Sequence, residues 1–382
     1  MNARIARVLV ALTIATGAAT SVAAPVVGAT RIAIAPSFLR LAAAAGGSGT
    51  VTIAVHNTGD EPFTIEPLVD AYGDAPADRS AAAWIAVSPA LADVAPGGSV
   101  EVAVTIAVPA DATTGGWYAS IGIATGRPDG AADATAIRGR IVVPVWLAVT
   151  GDGPVTRVPV VERFAAVIEP DGRLGFRALI RDDGDTHLFA TAHVTVGTAE
   201  QPAAATWDAV SHGVLPGQSV VFANRETLPV WATGELAASL VVAPSDAGEA
   251  TDFVPVGAST AFVPDGSLDV TDLGACENLD RGPTMRASLV ATGSIGVVPA
   301  VRFDVFDVGG RIVDGAAPLA GPIAWPGTTE PVMADLPRRL ESGAYTLRVT
   351  ATWGTEAVAH DVPFSIGGDP ATALPVCGIG EG

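Results

Sequence analysis

The residues best equipped for chemistry lie in one short stretch, where Asp182, Asp183 and Asp185 stand just ahead of His187. Carboxylates this close together suggest a cation, and calcium is the ion that oxygen-rich loops hold. Calcium wants about six or more converging oxygens, however, and one tight turn supplies two or three. The segment Arg181-Asp182-Asp183-Gly184-Asp185 also has an upstream counterpart, His56-Asn57-Thr58-Gly59-Asp60, which lacks two of the acids. A repeat that keeps the glycine and drops acids is repeating a turn. Asp182, Asp183 and Asp185 are therefore read as turn residues, with a metal site as the lesser alternative.

No other grouping frames a reaction. The chain has no Gly-x-Ser-x-Gly elbow and no His-Glu-x-x-His helix, and without lysine it cannot form a phosphate-cradling Gly-Lys loop. The histidines, at 56, 187, 193, 212 and 360, are scattered. A working pair of carboxylates cannot be singled out among 40 acids. No enzyme activity and no cofactor are expected. The neighbours Trp117 and Tyr118 are the candidate ligand-binding residues. Adjacent strand residues point to opposite faces, so one of the pair leaves the core and becomes available to stack on a sugar ring. Core packing is the competing role for both. Cys276 and Cys377 form an even pair, which in an exported chain is read as a disulfide.

Export is signalled at the N-terminus. Arg4 and Arg7 precede the apolar run Val8–Ile14, and Ser21-Val22-Ala23 supplies a small-x-small cleavage site. Residues 1–23 are read as a signal peptide, and no transmembrane segment is expected in the mature chain. The formal charge of −19 and the absence of lysine exclude nucleic acid as a partner, because that affinity comes from basic groups displacing phosphate counterions. An acidic, low-charge chain of this kind stays soluble outside the cell by self-repulsion.

The elements that must position these residues are strands. The 43 Gly and 29 Pro punctuate a Val-, Ala- and Thr-rich sequence with no long 3.6-residue period. Val100–Val108 alternates strictly, with β-branched residues on one face. Ile141–Leu147 is more uniformly apolar, and Pro144 within it suggests an edge strand. Four anchors then recur in order at a spacing of roughly 120 residues. They are the Gly-Asp turns already named, Trp84-Ile85-Ala86-Val87-Ser88 against Trp207-Asp208-Ala209-Val210-Ser211, Pro96-Gly97 against Pro216-Gly217, and Thr114-Gly115 against Thr233-Gly234. A third unit keeps the later anchors, as Trp325-Pro326-Gly327 and Ser342-Gly343-Ala344-Tyr345. The Gly-Asp turns are expected at hairpin tips, the Pro-Gly pairs at tight turns ahead of long strands, and the segments before Trp117, Leu236 and Tyr345 at crossings between sheets. The fold expected is all-β: three tandem immunoglobulin-like β-sandwiches at 26–151, 155–262 and 266–382, with turn-rich linkers at 152–154 and 264–266.

The first unit resembles bacterial surface modules of the immunoglobulin-like and pilus-chaperone-like kind, on the strength of Val55–Asp60, Trp84–Pro89, Pro96–Val100 and Val108–Tyr118. The order of the first two units is similar to the N-terminal half of the WxL-interacting cell-surface proteins, whose first domain is similar to a peptidoglycan-binding module. Their membrane-spanning helix and basic tail have no counterpart here, and the third unit has none there. The resemblance implies a secreted or wall-associated, non-catalytic scaffolding protein, its first sandwich presented to cell-wall polymer or to a secreted or surface protein. The alternative is a periplasmic-chaperone-like carrier that lends a strand edge to appendage subunits.

Overall fold

The structure, a computed structural model, describes residues 31–367 apart from 127–138, 152, 202, 211–212, 225–233, 246–252, 254, 279–281 and 337–339. The expected signal segment at residues 1–23, His212 and Cys377 lie outside the described residues. Within them the chain is strand throughout, interrupted by two single-turn 3-10 segments at Ala77–Arg79 and Ala82–Trp84.

The first sheet pair holds β1 (Ile32–Ala35), β2 (Leu39–Ala44), β3 (Ser48–Asn57), β4 (Phe63–Ala71), β5 (Ile85–Ser88), β6 (Ala92–Val94), β7 (Ser99–Ala107), β8 (Gly115–Gly126) and β9 (Arg140–Thr150). Their orders are β1-β3-β7-β5 and β2-β9-β8-β4-β6. The alternation read in β7 does what its period requires: Val102, Val104 and Ile106 turn inward, and Glu101 and Thr105 face solvent. Ile53, Val55, Ile121, Ile123, Val143 and Leu147 close the core from both sheets.

The second pair holds β10 (Pro159–Ile168), β11 (Leu174–Asp182), β12 (Ala190–Gly197), β13 (Ala205–Val210), β14 (Ser219–Ala223), β15 (Leu236–Pro244) and β16 (Val256–Phe262). The third holds β17 (Leu268–Asn278), β18 (Gly282–Ala291), β19 (Gly296–Val297), β20 (Ala300–Asp307), β21 (Ile312–Ala320), β22 (Thr329–Asp335), β23 (Gly343–Trp353) and β24 (Glu356–Ile366). Sheet β13-β12-β15-β16 faces β14-β11-β10-β19, and β17-β18-β22 faces β21-β20-β23-β24. This is immunoglobulin-like sandwich architecture.

The Pro-Gly turns are as the sequence suggests. Gly97, Gly217 and Gly327 all have φ near +70°, at +70°, +75° and +71°. The following amide closes each turn, Gly98 N to Ala95 O, Gln218 N to Leu215 O and Thr328 N to Trp325 O, at 2.9, 3.0 and 3.1 Å. That is the type II geometry, with Pro presetting its own φ and Gly supplying the positive one.

Three expectations change. The Gly-Asp turns are not hairpin tips: β3 pairs with β1 and β7, β11 with β10 and β14, and in each case the next strand joins the opposite sheet. The reason is visible at Asn57. Its carboxamide accepts from Gly59 N at 3.0 Å while donating to Glu61 O at 2.8 Å and Val94 O at 3.0 Å, so the side chain bridges the two sheets. Pro144 does not mark an edge strand either, since β9 lies between β2 and β8. It falls just short of where β2 begins to pair, at Leu39 with Val145, so the missing N–H meets a locally open edge. Finally, the linker at 264–266 is bound down rather than loose. Trp353 Nε1 donates to Gly266 O at 2.8 Å, and β19 pairs in parallel with β10, extending a sheet of the second pair into the third. Ile295 packs into the second core although it follows strands of the third.

Candidate binding site

The three aspartates of the turn diverge. Asp182 is fully buried, and its Oδ1 accepts from Gly184 N at 2.8 Å and Val158 N at 3.3 Å. Asp183 meets Arg181 Nη2 at 3.1 Å, and Asp185 Oδ1 accepts from Thr156 N at 2.7 Å. Each carboxylate serves a different partner, and no cluster of His, Cys, Asp or Glu fit for a metal forms among the described residues. Burial pushes the Asp182 carboxyl up to about 7, against the opposing pull of the Gly184 and Val158 amides and of Arg157. His187 is buried beside it. Burial, reinforced by Arg157 and Arg40, lowers its imidazole to about 3 and keeps it neutral.

Tyr118 leaves the core of its own sheet pair, as strand alternation requires, but it does not reach solvent. It is fully buried in an aromatic junction between the first and second pairs, at 5.9 Å from both Trp146 and His187. Phe38 and Phe189 pack edge-on or tilted against Trp146 at 5.2 and 5.3 Å, Arg40 lies over Phe189 at 4.1 Å, and Gly116 N donates across the junction to Asp185 O at 2.7 Å. Burial, with the nearby Asp182 charge, raises the Tyr118 hydroxyl. Trp117 is half-buried on the other face. Its ring meets Trp84 at 4.3 Å and carries the Arg79 guanidinium at 5.4 Å, and its Nε1 donates to Thr113 O at 2.9 Å.

A second candidate surface is one that the aromatic pair does not mark. β8 pairs with β9 as far as Arg140, whereas β2 covers β9 only from Val145 onward. No described strand pairs with Arg140–Pro144 on that side. Across the outward face of the same sheet, Leu68, Gly122 and Val142 stand in register in one row. Leu68 is 42 % exposed and Val142 is 48 % exposed. Gly122 between them leaves a trough, which the Arg140 side chain fills on its way to an ion pair with Asp70, and any Cβ at position 122 would overlap the guanidinium. The site is thus a short open strand edge beside an apolar row with one arginine laid across it. The sequence reading of Pro144 as an edge-strand residue did not give this site, which arises because β2 starts late along an internal strand. Gly122 carries no sequence signal until its strand neighbours are known.

No family model matches the chain and no curated protein does, so nothing there joins it to the WxL-interacting proteins. Among solved structures it is similar to the CupB2 chaperone of Pseudomonas aeruginosa, at 12% identity over 59% of this chain and 98% of that one, with a TM-score of 0.30. The E. coli chaperone DraB matches at 11% identity over 60% and 98%, TM-score 0.31. The class 5 fimbriae chaperone CfaA matches at 9% over 61% and 100%, TM-score 0.33. Likeness at this level carries no argument about this chain, whose immunoglobulin-like architecture rests on its own sheets. Among the described residues no helix is long and apolar enough to cross a membrane.

Proposed function

We propose that this chain is a non-catalytic, extracytoplasmic binding protein whose partner is another protein, received as an extended strand along the open edge of β9 at Arg140–Pro144. The observation that carries the reading is the mismatch between the two neighbours of β9: β8 covers its first half and β2 does not. An unpaired edge offers a row of backbone donors and acceptors, and strand addition satisfies them while flanking side-chain positions set specificity. Ile141, Val142 and Pro144 make this edge apolar, and Arg140 contributes the one charge. Wall-polymer binding through Trp117 or Tyr118 is the weaker reading, because Tyr118 has no exposed surface and the Trp117 ring is already engaged by Trp84 and Arg79. The export signal in residues 1–23 supports a site of action outside the cytoplasm.

The test is site-specific photo-cross-linking in the full chain, with a photoreactive residue at position 142 or, as control, at exposed Val241 on β15. Secreted proteins of the source organism are the bait mixture, and insoluble peptidoglycan is assayed in parallel. Position 142 should give adducts, identified by mass spectrometry, that map to one extended segment of a protein, and position 241 should not. Equal adducts at both positions, or retention by peptidoglycan alone, would overturn the reading.

A further inference from the structure

The polar corner at Asn57 recurs at Asp182 with a change of chemistry. Each residue ends a strand that crosses to the opposite sheet, and each takes the same bonds from the Pro-Gly turn. Gly97 N donates to Asn57 O at 2.9 Å and Gly217 N to Asp182 O at 2.7 Å. In return, Asn57 N donates to Gly98 O at 2.9 Å and Asp182 N to Gln218 O at 3.2 Å. In each, the side-chain Oδ1 accepts from the glycine two residues on, at 3.0 and 2.8 Å. The third sheet pair places Ala291 here: it bridges to Pro326 as Asp182 bridges to Pro216, and Gly327 N reaches Ala291 O at 3.4 Å. One position is therefore filled by Asn, Asp and Ala, and the architecture needs no charge there.

The second side-chain atom decides the difference. In Asn57 it is an amide nitrogen, donating to two carbonyls. In Asp182 it is Oδ2, buried and without a hydrogen-bond partner. A charged oxygen in that place has lost water and gained no hydrogen bond, a loss that the pull of Arg157 does not offset, and it is costlier than burying the neutral acid. Only the protonated form removes the charge from that oxygen.

We propose that Asp182 docks as a neutral carboxylic acid, so that the junction between the first and second sheet pairs is linked to one proton: it holds while the proton is bound and loosens as the proton leaves. Among the described residues, ionisable groups from three segments bear on this corner. The dry environment disfavours the charge most, and Asp183, from the same turn, adds to that; Asp185, in the same turn, bears on Tyr118. Arg157, from the segment leading into β10, favours the charge, and its Nε donates to His187 O at 3.2 Å. From the first pair come Tyr118, whose hydroxyl lies near the His187 backbone without a geometrically sound hydrogen bond, and Arg79, which is near Tyr118. His187 is held neutral and works in the opposite direction, gaining on docking as pH rises. Its contribution is common to the native chain and a 182 variant, and cancels in their ratio. The inference does not depend on the strand-edge reading.

Hydrogen exchange in full-length native chain and Asp182→Asn tests it, read at Gly116, whose amide crosses the junction to Asp185 O, and corrected for intrinsic base catalysis. The Asn/native ratio of protection factors should rise with pH from the ordinary carboxylate range and level off above neutrality. The total rise should be at least about tenfold, the equivalent of one pKa unit. A ratio that stays constant from about pH 4.5 to 8.5 overturns the proposal. If Asp182→Asn does not fold, the ¹³C carboxyl titration of Asp182 in the native chain decides. A midpoint near neutrality supports the proposal, and one in the ordinary carboxylate range overturns it.

Discussion

Trp117 and Tyr345 hold the same corner of two different sheet pairs: each stands two residues into its strand and donates from its ring to the backbone oxygen four residues earlier, Thr113 O and Glu341 O, both at 2.9 Å. The corner ties the crossing segment to the strand that follows it, the role a tyrosine plays in many immunoglobulin-like domains. In the second pair Leu236 occupies the position and simply joins the core.

Trp117→Phe and Tyr345→Phe should therefore each lose one hydrogen bond while keeping most of the packing. Each should lower unfolding free energy by about 1 kcal/mol in urea denaturation. A Trp117→Phe protein of unchanged stability would mean that the corner bond contributes nothing.

Val142→Asp places a charge on an exposed position of the open edge. Its stability should stay within about 0.5 kcal/mol of the native chain, since no buried contact is lost. Capture of a protein partner should fall several-fold in a pull-down. Undiminished capture would move the binding surface elsewhere.

Global stability against pH should reflect two opposed groups. His187 is lowered from 6.5 to about 3, so between those values the unfolded chain binds the extra proton and stability rises with pH. Asp182 is raised from 3.8 to about 7, so across that window the folded chain holds the extra proton and stability falls as pH rises. The slopes from these two groups should largely cancel between pH 4 and 6.5 in the native chain, and Asp182→Asn, which leaves the His187 slope unopposed, should gain stability relative to the native chain as pH rises. Parallel curves for the two proteins in thermal denaturation would contradict the assignment.

Cys276 lies half-buried on β17, and its expected partner Cys377 is outside the described residues. Non-reduced peptide mapping of protein recovered from an oxidising compartment should give a Cys276–Cys377 cross-link. Closing a loop of about 100 residues, the bond should stabilise by up to roughly 4–5 kcal/mol, lost on reduction. Two free thiols would rule it out.

The sandwich class was legible because β7 alternates strictly and the Pro-Gly turns each need one positive φ, both local requirements written into residue type. The strand that follows Asn57 was misplaced because an Asx turn looks the same in sequence whether the chain folds back or crosses over; only the distant Val94 carbonyl decides. Ala291-Thr292-Gly293 did carry the first anchor into the third unit, but with Ala for Asn the likeness fell to two residues. The Leu68, Gly122 and Val142 row was out of reach, being assembled from three strands whose register no single segment encodes. Strand alternation told only that one of Trp117 and Tyr118 leaves the core; that it is Tyr118, and that a neighbouring sheet pair covers it, is a fact of docking rather than of strand period.

The parallel pairing of β10 with β19, with Ile295 seated in the second core, has a consequence for how such a chain can be rebuilt. The second and third units cannot be exchanged as separate cassettes. A cut at Asp265 would take Ile295 out of the second core and strip an edge strand from its sheet. Recombination that preserves folding has to carry residues from β10 through β24 as one inheritable block, and any replacement for the first sheet pair has to rebuild the aromatic junction around Tyr118 and Trp146.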